Sequence, residues 1–247
     1  MRYIGIDLAW KMDPRPDERR SAVACLDDKA RLIFYGHFRT DEEIIDALEK
    51  LCSVGCMIGV DAPLIVRPDT TGLRACEGML MEMKVHVMPT DPRRFEQWYG
   101  GCRGVVLLEK LKDKDFGYGL VDRLPPITEK AVVETYPTGA WKRLFGETPK
   151  FKGVPLDVKR AALLRLKDLL KWSMPPRFPA VRMDVLDRSK KDLEGLGGVE
   201  LDMFGDALDA LMSAYTVLLW DRDPKNCETV GDLKTGLILM PLSPRSR

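Results

Sequence analysis

The sequence predicts an α/β protein on a mixed sheet, with three antiparallel meander strands followed by parallel ones and helices on both faces. Three observations lead there. Arg2 to Ala9, Ser21 to Leu26 and Arg31 to Phe38 are short aliphatic runs joined by a polar loop and a turn, as in a meander. A helical pattern then precedes another aliphatic run, the alternation that sets strands parallel. The 247 residues are 45% hydrophobic and 31% charged, enough apolar content for a sizeable core and far from the composition of a disordered chain.

The first run, Arg2-Tyr-Ile-Gly-Ile-Asp-Leu-Ala9, carries no charge between Arg2 and Asp7 and reads as a strand buried on both faces. Lys11 to Arg20 holds Pro14 and Pro16 among polar neighbours and is a loop. Asp27-Asp-Lys-Ala30 turns the second strand into the third. Thr40 stands at an N-cap position with Glu43 three residues on, so a helix over about 41–52 carries Ile44, Ile45, Leu48 and Leu51. Cys56-Met-Ile-Gly-Val-Asp61 is the next strand, broken by Ala62-Pro63. Ala131 to Thr135 is another, with Glu134 near its end and a helical pattern from Tyr136-Pro137 to Phe145. Helices are expected at 157–171 and 200–220. Residues 67–126, with helical patterns around 72–84 and 102–113, read as an elaboration inserted between core strands. Residues 1–242 then make one domain, and 243–247 a tail.

Composition excludes several functions. Lys plus Arg is 39 against 38 Asp plus Glu, so a net charge of +1 argues against a generic polycation. No stretch reaches 18 uninterrupted apolar residues, and Asp7 falls inside what would be the apolar part of a signal peptide; the expectation is a cytoplasmic protein with no membrane association. The six cysteines are scattered, and the expectation is free, buried thiols. Cys52 and Cys56 are four apart, but no second pair answers them and neither His37 nor His86 is at ligand spacing, which argues against zinc. Neither a P-loop nor a G-x-G-x-x-G pattern occurs.

What remains is a set of acids. Asp7, Asp61 and Glu134 each sit at or near the C-terminal end of an expected core strand. In a sheet with parallel strands those ends converge on one edge, where ligands bind. Carboxylates gathered there incur several kcal/mol of desolvation on the order of any buried charge unless a cation compensates. The 200–220 helix is apolar almost all round, with Leu201, Phe204, Leu208 and Leu211 on its wide face, leaving Asp202, Asp206 and Asp209 as a narrow acidic stripe with Ser213. Asp206 and Asp209, three apart, are neighbours on one side. The strand acids and the helix pair together point to a metal.

Ile4-Gly-Ile-Asp7, Gly59-Val-Asp-Ala-Pro63, Glu134-Thr-Tyr-Pro137 and Asp206-Ala-Leu-Asp-Ala-Leu211, with Arg74-Ala-Cys-Glu77 and Pro89-Thr90 between them, resemble the motif string of domain-of-unknown-function family 429. That family is described as predicted nucleases with a ribonuclease H-like fold. The resemblance implies that Asp7, Asp61, Asp206 and Asp209 hold one or two metals, Mg²⁺ or Mn²⁺ by their preference for hard oxygen ligands, and that Glu134 joins them as a catalytic acid peculiar to this family. The implied reaction is metal-assisted hydrolysis of a phosphodiester in nucleic acid, DNA or RNA. Charge patterning points the same way: Lys142 to Lys191 carries fourteen basic residues against five acidic ones, while Asp192 to Asp209 has six acidic and no basic ones. Trp98, Trp141 and Trp172 are candidates to stack bases or to fill core, and Arg93 and Arg94 to meet substrate or solvent. Two alternatives share the fold. A phosphotransferase or ATPase of the actin and sugar-kinase type would need a glycine-rich phosphate turn after Asp7, where Leu8-Ala9-Trp10 stands. A nucleic-acid-binding protein without turnover would need only the fold and the basic surface.

Overall fold

The computed structural model describes residues 1–15, 20–53, 55–118, 130–172 and 179–243. In chain order the elements are β1 (Arg2–Asp7), β2 (Ser21–Leu26), β3 (Leu32–Phe38), α1 (Asp41–Leu51), β4 (Cys56–Asp61), α2 (Ala75–Glu82), α3 (Pro92–Tyr99), α4 (Arg103–Lys112), β5 (Gly117–Tyr118), β6 (Ala131–Thr135), α5 (Pro137–Phe145), α6 (Leu156–Trp172), α7 (Lys190–Glu194), α8 (Gly198–Arg222), β7 (Cys227–Asp232) and β8 (Gly236–Pro241). The sheet runs β3-β2-β1-β4-β6-β8-β7, with β5 added beside the start of β6. The meander β1-β2-β3 is antiparallel, β1, β4, β6 and β8 are parallel, and β7 returns antiparallel to β8. This is the mixed α/β sheet expected from the sequence, in an order consistent with a ribonuclease H-like arrangement.

Alternation along the central strands sends side chains to two cores. Ile4, Ile6, Ile58, Val60 and Val132 pack with Ile44 and Leu48 of α1 and Leu107, Leu108 and Leu111 of α4. Tyr3, Met57 and Val133 face the other way, onto α5, α6 and α8. α1 starts where the sequence places it, with Thr40 Oγ1 accepting from the Glu43 amide and Glu43 returning a carboxylate to the Thr40 amide. α2 and α4 fall within the two helical patterns of the inserted segment. α3, α7 and the β7–β8 hairpin have no counterpart in the sequence reading. β8 is held in the sheet by its parallel pairing to β6, which no local pattern announces.

Gly5 and Gly59 are paired in register on the face that meets α8. A Cβ on Gly5 would lie 1.8 Å from the Ala210 carbonyl oxygen, and one on Gly59 2.8 Å from that of Ser213. The missing side chains let α8 lie directly on the sheet backbone, and small residues on the helix, Ala210, Ser213 and Ala214, complete the fit.

One expectation is corrected. Cys52 and Cys56 are joined as a disulfide, with a Cα–Cα distance of 5.2 Å. Cys52 caps the C-terminus of α1 and Cys56 opens β4, so the short connection brings their Cα atoms within bridging range. Cys25, Cys76, Cys102 and Cys227 are free thiols. Among the described residues no helix is long and apolar enough to cross a membrane. Parts of the expected loop (16–19), of the expected insertion (119–126) and of the expected tail (244–247), with the side chain of Trp172, lie outside the described residues.

Candidate functional site

Asp7 and Asp61 end two adjacent parallel strands and are direct partners in register. Two residues on from the glycine pair, they project from the same sheet face, toward the part of α8 that carries Asp206 and Asp209. α8 is buried from Phe204 to Trp220, so these acids are not on a solvated stripe; Asp206 is 3% and Asp209 6% exposed. The four aspartates singled out from the sequence therefore meet at one end of the sheet.

A cation that the sequence reading did not single out stands among them. Lys152 Nζ is 3.2 Å from Asp206 Oδ1, 3.3 Å from Asp209 Oδ2 and 3.7 Å from Asp7 Oδ2. Asp209 is also held through its other oxygen, which accepts from the Trp141 indole N–H at 3.1 Å. Trp141 is thus a buried orienting group rather than a base-stacking platform. Asp7 Oδ2 is buried and accepts no hydrogen bond among the described residues.

One ammonium against four carboxyls leaves the site over-supplied with negative charge, and the proton affinities reflect this. Burial pushes the Asp7 carboxyl well above the usual carboxylate range; Lys152 opposes the shift, and Asp206, Asp61 and Asp209 add to it. Burial also pushes Asp61 up to about 8, reinforced by Asp209, opposed by Lys152 and reinforced again by Glu134 and Asp206. Asp209 is raised by burial and by Asp206, against Lys152 and the Trp141 hydrogen bond. Because the folded-state affinity of Asp61 for a proton exceeds that of the unfolded chain, its contribution to stability is most favourable below about pH 4 and is lost as pH rises toward 8. Asp61→Asn is therefore expected to stabilise the metal-free protein at pH 8 by about 1–3 kcal/mol, the range seen when a poorly compensated buried charge is removed. The gain should shrink toward pH 5. Thermal melts in chelator at the two pH values check it, and an Asn variant less stable than wild type at pH 8 would refute the charge excess.

Glu134 occupies a different place. It pairs in register with Val60, so it points to the sheet face opposite α8. There its carboxylate receives Arg74 Nη2 at 2.5 Å and Nη1 at 2.9 Å, and its Oε2 accepts the Leu64 amide at 3.0 Å. Arg74 Nε binds Glu77 at 2.8 Å, and Glu77 in turn accepts the Thr90 amide and hydroxyl. The fragments Arg74-Ala-Cys-Glu77 and Pro89-Thr90 thus join Glu134 in one buried network. It fixes the chain just after Asp61.

All five acids line a cleft of about 880 Å³. Trp10 and Tyr99 form part of its wall, ring against ring edge at 5.2 Å, and Lys11, Arg20 and Lys150 bring positive charge to it. Of the other basic and aromatic candidates, Arg94 sits 6.0 Å over the exposed Trp98 ring on α3, and Arg93 is exposed beside it. None of these three lines the cleft.

A divalent ion suits this donor set on chemical grounds: hard carboxylate oxygens, nearly dry, in excess over the local cations. As placed, no group of three or more His, Cys, Asp or Glu side chains among the described residues forms a metal cage. Lys152 stands between the carboxylates of α8 and Asp7. A family model described as "Protein of unknown function (DUF429)" matches residues 5–232. No curated protein and no solved structure matches the chain.

Proposed function

Since the chain belongs to the DUF429 family, whose matching model is described only as a protein of unknown function, we propose from the site itself that it is a divalent-metal-dependent nuclease hydrolysing phosphodiester bonds. The observation that carries this reading is the convergence of Asp7 and Asp61, side by side on parallel strands, with Asp206 and Asp209 of the buried helix. These four would hold Mg²⁺ or Mn²⁺. When bound, such an ion makes water a nucleophile near neutral pH and offsets charge on the leaving oxygen. Trp141 keeps one Asp209 oxygen turned to the indole and so directs the other into the site. Arg74, through Glu134, holds the Leu64 amide and with it the segment following Asp61. Lys11, Arg20 and Lys150 supply phosphate contacts, and Trp10 and Tyr99 an aromatic wall for bases. A cleft of about 880 Å³ suits one or two unpaired nucleotides better than a duplex.

The phosphotransferase alternative has less support, because the Ala9 amide, which a phosphate turn after Asp7 would present, already donates to Ser21 Oγ at 3.1 Å. A binding protein without turnover is favoured by one feature, the Lys152 ammonium standing among the acids. Calorimetric titration of Mn²⁺ into wild type and the Asp7→Asn/Asp206→Asn double variant, followed by labelled single-stranded and duplex DNA and RNA, separates these readings. The nuclease reading expects saturable binding lost in the variant and Mn²⁺-dependent cleavage, strongest on single strands. Wild type that binds no Mn²⁺ even with oligonucleotide present would overturn it.

A further inference from the structure

Lys152 belongs to the segment 146–155 that links α5 to α6. Its neighbour Phe151 is 6% exposed and is seated on Gly205 of α8, where a Cβ would come within 2.2 Å of the ring. Gly205 therefore provides the seat, and the residue after the anchored phenylalanine lands beside Asp206 and Asp209. On either side of the anchor, Gly146 and Gly153 adopt φ of +77° and +69°, and a Cβ on either would meet nothing within 4 Å. The Lys152 side chain is 41% exposed, and its flexible four-carbon stem lets the ammonium move while the backbone stays put.

We propose that Lys152 is a built-in occupant of the cation position, which a divalent metal must displace, and that it thereby sets the metal affinity of the site; this rests on the nuclease reading above. The ammonium meets carboxylate oxygens from two elements, β1 and α8, within 3.2–3.7 Å. An ion drawing on the same oxygens cannot share them with an ammonium at those distances, because the two positive charges would repel at such close range. Displaced, the ammonium swings into the cleft, where a phosphate is the natural counter-charge. Metal and anionic substrate then favour one another, since each stabilises the arrangement the other needs.

The experiment is calorimetric titration of Mn²⁺ into wild type, Lys152→Met and Lys152→Arg, with melting temperatures recorded in chelator and in Mn²⁺. Lys152→Met removes the competing charge and keeps the stem, and is expected to bind Mn²⁺ at least about tenfold more tightly, in line with the coupling of close charge pairs. Lys152→Arg is expected to stay near wild type. The chelated Lys152→Met protein should melt lower than wild type and regain the difference in Mn²⁺, so its Mn²⁺-dependent melting shift gives the affinity ranking even if the chelated variant is poorly folded. Equal or weaker binding by Lys152→Met, with wild type binding normally, would overturn the displacement role and leave the metal site standing. Absence of Mn²⁺ binding in all three proteins would overturn both.

Discussion

Replacing Arg74 with methionine is expected to destabilise the protein by about 3–5 kcal/mol, the cost of removing one partner from a buried ion network and leaving the other charges uncompensated. Arg74 is 4% exposed and is the cation between two buried carboxylates, Glu77 and Glu134. Their pull keeps the guanidinium above its ordinary proton affinity despite the opposing effect of burial. Without Arg74, among the described residues Glu134 retains the Leu64 amide and Glu77 its backbone and threonine donors. Denaturant unfolding of Arg74→Met, alone and combined with Glu134→Gln, checks the size and the cause: the double variant should recover part of the loss because one orphaned charge has gone. A loss below about 1 kcal/mol, the scale of an exposed pair, would mean that the network is not the dry ion cluster described above.

Gly5→Ala is expected to be nearly as damaging, at about 3 kcal/mol or more, because it overpacks a contact made by backbone rather than by flexible side chains. The added methyl would stand 1.8 Å from the Ala210 carbonyl oxygen and 2.4 Å from the Ala214 nitrogen, so α8 has to lift from the sheet. Asp206 and Asp209 ride on that helix and Asp7 on the strand beneath, so any folded fraction should also bind Mn²⁺ more weakly than wild type. Thermal unfolding together with Mn²⁺ titration reads both effects. A variant melting within about 2 °C of wild type would contradict the close approach, given that 1 kcal/mol moves a domain of this size by a comparable amount.

Much of this protein was legible in its amino acids alone, for a physical reason. The meander, the Thr40 and Glu43 capping box, the strand ending at Asp61 and the apolar character of α8 all follow from periodicity and local hydrogen bonding, which neighbouring residues decide among themselves. The meeting of Asp7, Asp61, Asp206 and Asp209 follows nearly as directly, because parallel strands bring their C-terminal ends to one edge and a helix apolar almost all round has to lie against the sheet. Tertiary structure decided what no spacing encodes. Register turned Glu134 away from α8 and into the grip of Arg74, a one-residue phase difference that reverses the face a side chain meets. The seat that Gly205 offers Phe151 placed Lys152 among the aspartates across more than fifty residues of chain. The parallel pairing of β8 with β6 added a hairpin to the sheet edge, a placement set by a strand distant in sequence. Local pattern determined most of the core elements and the acids they carry; the positions of the cations that answer those acids depend on long-range packing, which is settled only when the whole chain has closed.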